Sequence, residues 1–231
     1  MLRNLDFSNL KASLLQILMS LVIVLISLTF HEVAHGWMAD RLGDHTAKER
    51  GRLSLNPFAH LDPIGFLCML LFGFGWARPV PIDARNFRHP KRGMALTALA
   101  GPVANLLLAF VILIPYEIIM ACDAHGAFMN SSEFTINLIY ACLTFIFTFH
   151  YMNISLAVFN FFPVPPLDGS RVLYAVLPEK YYFGVMKYER YISLGIMLLL
   201  VTGLLDKPLT FLTGAISGGM QWLLELLPFF G

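Results

Sequence analysis

An apolar run that leads directly into two histidines and a glutamate is the feature that most constrains how this chain can fold. Residues 12–30 contain no charge and are mostly Leu, Ile, Val and Phe, and the motif HEVAH follows at residues 31–35. About 20 apolar residues are enough to cross a bilayer as a helix. An ionisable group at that depth costs roughly 2.5 to 3.5 kcal/mol and needs a partner. The motif therefore predicts a functional site within a membrane.

The HEVAH motif has the spacing of a zinc-binding helix. Positions i and i+4 lie on one helix face, so His31 and His35 can bind the same metal ion. Glu32, between them in the sequence, can take a proton from a water bound to that metal. We therefore predict one Zn²⁺ per chain, with Glu32 as the catalytic base.

The third zinc ligand does not follow from this spacing. A catalytic zinc site has three protein ligands and one open position, and the extended HExxHxxGxxH pattern fails because Arg41 stands where its third histidine would be. Asp168 is the better candidate, because three prolines in residues 160–169 prevent a regular helix and leave backbone groups unpaired. Glu49 and Glu117 stay open as ligands of the kind used by a zinc-protease class with a distant glutamate.

The composition predicts an integral membrane protein. The 231 residues are 57% hydrophobic and 13% charged, with a mean hydropathy of +0.67, which is too apolar for an ordinary soluble domain. The net charge of +1 with scattered basic residues gives no reason to expect nucleic-acid binding. We predict an all-α polytopic protein of about five or six transmembrane helices, forming one membrane-embedded domain over residues 1–231. The predicted spans are residues 11–40, 93–121, 134–160 and 208–227, with a shorter fifth at 191–205.

The position of the basic residues indicates the topology. Thirteen of the 16 basic residues fall in three loops, at residues 41–52, 78–92 and 171–190. Basic loops are typically cytoplasmic, and all three lie on one side only if residues 61–76 enter the membrane and return. We therefore favour a re-entrant segment there, with a short edge strand at residues 77–83 and the N-terminus outside. The active site then faces the cytoplasmic side of what we expect to be a prokaryotic cytoplasmic (inner) membrane.

Five motifs, in a consistent order over about residues 27–175, resemble those of the site-2 protease family. These are zinc metalloproteases that cut within the membrane. The motifs are HEVAHG in the first apolar helix, GRLSLNP at residues 51–57, GFGWARPVPID at 73–83, AGPVANLLLA at 100–109 and NFFPVPPLDG at 160–169.

The resemblance implies a set of site residues and a substrate class. His31, His35 and Asp168 would hold zinc and Glu32 would be the general base. Asn160 would bind the substrate, and Asn105 is either a second substrate-binding residue or an interhelical hydrogen-bonding residue. The substrate would be a transmembrane protein in the lipid bilayer, and many relatives carry a PDZ or CBS domain for which this chain has no room. Two alternatives stay open: a catalytically silent protein that clamps a partner helix, and a membrane zinc protease of another class.

Overall fold

The computed structural model describes residues 10–72, 75–177 and 187–227, and it confirms the all-α prediction, because the described residues form no strand. Two short 3-10 helices lie at Pro57–Ala59 and Ala84–Asn86. The α-helices are α1 Leu10–Arg41, α2 Thr46–Glu49, α3 Pro63–Phe72, α4 Pro90–Ala124, α5 Glu133–Phe161, α6 Asp168–Val176, α7 Glu189–Val201 and α8 Asp206–Glu225.

Three of the described helices are long and apolar enough to cross a membrane. They are α1 from Ser13 to Arg41, α4 and α5. The predicted count of five or six spans is not confirmed. The predicted span at residues 191–205 becomes α7, which has only 13 residues. The predicted span at 208–227 becomes α8, which has 20 residues but includes three charged side chains and several hydroxyls.

The long helix α4 is the centre of the fold, because it contacts α1, α5, α6 and α8. Its buried face carries small residues, among them Ala98, Gly101 and Ala109. Small residues let helix backbones approach closely in a membrane, where apolar surfaces gain little from leaving lipid. Ala109 packs against Ile154 and Val158 of α5 in a fully buried cluster. This packing brings α1, α5 and α6 around one stretch of α4.

The segment predicted to be re-entrant returns to its starting point. Leu61 and Ala77 form an antiparallel β-bridge, and the N–H of Arg78 donates to the carbonyl of His60 over 2.8 Å. The two ends therefore lie side by side, with the short helix α3 between them. The edge strand predicted at residues 77–83 does not form beyond this single bridge. Pro79 and Pro81 carry no N–H, so they cannot continue a ladder of hydrogen bonds.

Candidate metal centre

The structure brings His31, His35 and Asp168 together at the junction of α1, α4 and α6. The Nε2 atoms of the two histidines lie 3.0 Å apart. Oδ2 of Asp168 lies 3.0 Å from Nε2 of His31 and 3.2 Å from Nε2 of His35. The two rings are almost perpendicular, at 89°. In the described part of the chain, no other three His, Cys, Asp or Glu side chains converge in this way.

The orientation of the His35 ring is set by a backbone group of α4. Nδ1 of His35 donates to the carbonyl of Thr97 over 2.7 Å. A neutral imidazole that carries its proton on Nδ1 presents a lone pair at Nε2, which is the state that a metal ligand requires. Nδ1 of His31 is also buried but has no hydrogen-bond partner among the described residues. The structure therefore fixes the tautomer of His35 and not that of His31.

Gly101 of α4 lies directly against both imidazole rings. A Cβ at this position would lie 2.5 Å from Cε1 and Nε2 of His35, and 2.7 Å from Cε1 of His31. Real Cβ atoms essentially never come this close to a neighbour. The absence of a side chain at Gly101 therefore lets α4 pack against the face of α1 that carries His31 and His35.

Asp168 is brought to the histidines by the turn between α5 and α6. The sequence predicts that Asp168 lies in an irregular segment. In the structure that segment ends at Leu167, and Asp168 is the first residue of α6. Gly169 fits against the end of α5, where a Cβ would lie 2.3 Å from the carbonyl oxygen of Phe161. The Ser170 hydroxyl donates to the carbonyl of Leu167 over 2.6 Å and closes the turn.

The charge on Asp168 suits a cation. Burial raises the pKa of its carboxyl, but the two histidine side chains beside it outweigh burial and hold the pKa below its ordinary value. The group is therefore a carboxylate at neutral pH, with one oxygen aimed at the two imidazoles.

These three donor atoms fit a zinc ion. Electron-rich atoms that converge at 3.0 to 3.2 Å repel one another unless a cation or a proton lies between them. In a tetrahedral site with Zn–N distances of about 2.0 to 2.1 Å, ligand atoms lie about 3.3 Å apart. Two imidazoles and one carboxylate are also a usual ligand set for catalytic zinc.

Glu32 lies beside the ligands and is held by a loop. Its Oε2 accepts a hydrogen bond of 2.8 Å from the N–H of Val80. Val80 belongs to the strap, which we define as residues 77–83, and its buried side chain packs near Gly36 of α1. The strap therefore crosses α1 beside Gly36, the residue after His35, and fixes the carboxylate of Glu32.

Two further side chains hold the strap in place. Arg52 donates to the carbonyl of Arg78 over 2.8 Å, and to that of Pro79 over 3.4 Å. Oδ2 of Asp44, a fully buried residue, accepts from the N–H of Asp83 over 2.7 Å. Burial and neighbouring Arg78 lower the pKa of Arg52, while the negative charge of Glu32 opposes this change. Arg52 is thus an electrostatic neighbour of Glu32 as well as a donor to the strap.

The two asparagines predicted to bind substrate differ in their surroundings. Asn105 lies one helical turn after Gly101 on α4 and is completely buried. Neither atom of its amide has a hydrogen-bond partner among the described residues. Asn160 lies in the last turn of α5, where its Nδ2 donates to the carbonyl of Leu156 in its own helix over 3.0 Å.

The competing ligands suggested by the sequence lie elsewhere. Glu117 is 16 residues beyond Gly101 on α4, which is about 24 Å along the helix axis. Its Oε1 accepts from Gln221 over 3.3 Å. Glu49 ends the short helix α2, and neither glutamate belongs to the converging group of ligands.

Sequence reasoning missed the residues that support the ligands. The carbonyl of Thr97 and the N–H of Val80 are backbone groups, which leave no signature in side-chain identity. Gly101 carries a weak signal, because it is a small residue in an apolar helix and is followed by Pro102. Arg52 and Asp44 gave no signal, since charged residues in a basic loop are ordinarily solvated.

Known proteins resemble this chain along most of its length. The sequence model of peptidase family M50 matches residues 19–203. YwhC of Bacillus subtilis (strain 168) is 40% identical over 183 residues, which are 79% of this chain and 80% of that protein. MJ0611 of Methanocaldococcus jannaschii is 30% identical over 171 residues, or 72% and 75% of the two chains. Both are named putative zinc metalloproteases.

More distant relatives extend the same pattern. Rip2 of Mycolicibacterium smegmatis, whose name has the same form, is 28% identical over 188 residues, which are 79% of this chain and 66% of that protein. No solved structure matches the chain significantly. The family match covers most of the chain, and it includes the part of the long apolar helix that carries His31 and His35. The chain therefore belongs to peptidase family M50, the site-2 protease family, and is a zinc metalloprotease of the membrane.

Proposed function

We propose that this metalloprotease hydrolyses peptide bonds within or close to transmembrane segments of other membrane proteins. The observation that carries the proposal is the place of the histidines in α1. His35 and His31 lie six and ten residues before Arg41, the last residue of the helix. At 1.5 Å per residue, they are about 9 and 15 Å from its end. With Arg41 at the membrane surface, both lie within an apolar layer of about 30 Å.

The proposal assigns zinc to His31, His35 and Asp168. Zinc held by three protein ligands supplies a Lewis acid that activates water and polarises a peptide carbonyl. The Thr97 carbonyl keeps the Nδ1 proton on His35, so its Nε2 lone pair faces the other two ligands. Asp168 contributes a negative charge that offsets part of the charge of the ion.

Glu32 is the general base in this proposal. Its carboxylate takes the proton of the attacking water and then delivers it to the leaving amine. The N–H of Val80 occupies one lone pair of Oε2. The other lone pairs of the carboxylate are available for the proton. Because Glu32 and His31 are adjacent on α1, the base and the metal ligands keep a fixed separation.

A transmembrane substrate has to unwind before it can be cut. The carbonyl of a helical peptide bond is already hydrogen-bonded and is shielded by side chains, so we propose that the substrate lies extended along the strap. The unpartnered amide of Asn105 supports a substrate-binding role, since a buried polar group without a partner costs about 1 to 3 kcal/mol. Asn160 is the second candidate for contact with the substrate backbone.

The proposal includes the cellular setting. The basic loops that precede and follow the strap support a cytoplasmic position for the nearer end of α1 in a bacterial membrane. Water then reaches the site from that side, along the part of α1 between His35 and Arg41. We further propose that residues 1–231 form one membrane-embedded protease domain.

Zinc content and peptide cleavage, measured on the same preparations, test the proposal. The wild type, Glu32→Gln, Asp168→Ala and Glu117→Gln are purified without chelator and mixed with a model transmembrane peptide in liposomes. We expect about one zinc and cleavage for the wild type, full zinc without cleavage for Glu32→Gln, and loss of zinc for Asp168→Ala. Glu117→Gln is the matched control and should behave as the wild type.

Three results would contradict the proposal, each in a different way. Cleavage by Glu32→Gln at the wild-type rate would remove the assigned base. Loss of zinc in Glu117→Gln but not in Asp168→Ala would place the enzyme in the class with a distant glutamate ligand. Cleavage of a soluble unfolded peptide, but of no transmembrane peptide, would show that the substrate class is wrong.

A further inference from the structure

A cavity of about 610 Å³ lies apart from the metal centre, where α1 ends and α4 begins. Its walls come from the end of α1 with the loop after it, and from the first turns of α4 with the residues before them. Neither the zinc ligands nor Glu32 line it. The lining residues that matter here are Leu42, Phe87 and Leu96, which are apolar, and Arg41, Arg88 and Arg92, which are charged.

The rim of the cavity is strongly cationic. The side chains of Arg88 and Arg92 are exposed, and no ion pair joins either of them to a residue that the structure describes. Asp40 is the single acidic residue of the lining. Its carboxylate lies 2.6 Å from Nδ1 of His45 and 3.4 Å from Nζ of Lys48. The acid is therefore already engaged, and the arginines keep a net positive charge around the opening.

The floor of the same cavity is apolar. Phe87 is only 4% exposed, and its ring fits against Gly93, where a Cβ would lie 2.4 Å from the ring. Leu42 and the exposed Leu96 extend this surface along the two helices. A ligand that fills the cavity thus meets positive charge at the rim and hydrocarbon beneath it.

The cavity lies where the membrane surface is expected. Arg41 is the last residue of one candidate span and Pro90 the first residue of another. Trp37, half exposed, lies one turn before Arg41, and the Arg41 guanidinium is 5.1 Å from the centre of its ring. Tryptophan and arginine are both typical of the layer between hydrocarbon and water. The rim is therefore at the depth of lipid headgroups.

We infer that this cavity binds the headgroup of an anionic phospholipid. The phosphate and the rest of the charged headgroup would lie among Arg41, Arg88 and Arg92, and the glycerol and upper acyl carbons would lie on the apolar floor. Basic pockets at the ends of transmembrane helices attract anionic lipids, which are concentrated in the cytoplasmic leaflet. A free inorganic anion would use the charge but leave the apolar floor uncovered, so the lipid fits the whole cavity better.

Lipid binding to the purified full-length chain tests this inference. Native mass spectrometry in neutral detergent measures retention of phosphatidylglycerol and of phosphatidylcholine by the wild type. The double variant Arg88→Gln/Arg92→Gln is compared with Arg50→Gln/Arg190→Gln, which removes the same charge from two exposed sites outside the cavity. The zinc content of each preparation reports whether it is folded. If Arg88→Gln/Arg92→Gln is not folded, the single variants Arg88→Gln and Arg92→Gln are measured in its place.

We expect the wild type and the control variant to retain phosphatidylglycerol in preference to phosphatidylcholine. The cavity variant should bind phosphatidylglycerol at least about tenfold more weakly. Equal weakening in both double variants would show attraction by overall charge alone and would overturn the inference. It would also be overturned by an absence of preference between the two lipids, or by inorganic phosphate binding the wild type as tightly as phosphatidylglycerol does.

Discussion

The proposed zinc ligands His31 and His35 and the proposed base Glu32 are neighbours on α1, but different parts of the fold hold them in place. The ligands depend on helix packing, since Gly101 lies against both imidazoles and Gly169 seats the start of α6 on the end of α5. Glu32 depends on the strap, which donates one backbone hydrogen bond to it. The strap is in turn held by Arg52 and Asp44, from the loop region after α1.

This difference implies that metal binding and catalysis can be separated by mutation. A change in helix packing should displace the ligands and lose zinc. A change at the strap should leave zinc in place and reduce the rate, because only the position of Glu32 is disturbed. Substitutions in the two regions test that separation.

Gly101→Ala should have the largest effect. The added methyl group overlaps both ligand rings, so α4 or the rings must move. Displacement of supporting groups around a metal typically costs about 10- to 100-fold in affinity. We expect the variant to lose zinc in competition with a chelator of known affinity, and to lose activity in proportion.

Gly195→Ala is the matched control for this substitution. Gly195 lies in the middle of α7, and among the described residues nothing beyond its chain neighbours and the nearby backbone of its own helix lies within 4 Å of the Cβ that alanine would add. Alanine in a helix interior is also more favourable than glycine by about 1 kcal/mol. Equal zinc affinity in the two variants would mean that Gly101 does not control the ligand geometry.

Arg52→Gln should reduce the rate while the zinc content stays at the wild-type level. The strap loses the guanidinium that binds the Arg78 and Pro79 carbonyls, and Glu32 loses a nearby positive charge. Small misplacements of a reacting group cost up to about 100-fold. We expect kcat to fall by about 10- to 100-fold, with a smaller change in KM.

Arg52→Lys and Arg50→Gln complete that experiment. Lysine restores the charge but not the planar guanidinium, so partial recovery of kcat is expected. Arg50 is exposed and in the same loop, and its replacement should leave kcat unchanged. If Arg52→Gln lost zinc, the strap and the ligands would not be independent.

Asp44→Asn should have the smallest effect on zinc content and rate, and its main effect should appear in the pH dependence of stability. Burial raises the pKa of Asp44, but hydrogen bonds from Thr46, Asn86 and the Asp83 N–H outweigh burial and lower it. A lowered folded-state pKa gives stability that is complete above the ordinary aspartate pKa of about 3.9 and is lost as the pH falls through the lower folded value. The variant should therefore unfold with a flatter dependence on pH below about pH 4.

The midpoint of thermal unfolding in detergent, followed as a function of pH, measures this effect. At neutral pH the asparagine should cost about 1.5 to 3 kcal/mol, because a hydrogen bond to a charged oxygen is lost. An unchanged pH profile would show that Asp44 does not contribute through its charge.

The sequence was informative about the proposed zinc ligands and less so about the residues that support them. Two histidines four residues apart in an apolar helix are costly unless they bind a partner, and the Pro-rich segment before Asp168 indicated a chain that turns. Asp168 was therefore predicted as a ligand although 137 residues separate it from His31. The support from Thr97 and Val80 could not be predicted, since any residue provides a carbonyl and almost any provides an N–H.

All five predicted spans became helices, but only the three in which length and apolarity agree are candidate spans among the described residues. The three longest apolar segments became α1, α4 and α5, close to their predicted limits. The helix α7 is too short to be a candidate span, with 13 residues. The helix α8 is long enough, with 20 residues, but it carries charged side chains. The strand expected at residues 77–83 failed because two prolines interrupt its hydrogen bonding, although the same prolines keep the strap extended.

The separation of the ligands along the chain has a consequence for biosynthesis. Asp168 follows His31 by 137 residues, so both histidines are synthesised well before the aspartate. Between them lie α3, α4 and α5, which must be inserted and packed before α6 can deliver its carboxylate. On the proposed ligand set, the metal centre is therefore incomplete until Asp168 has been synthesised and α6 has packed beside α1.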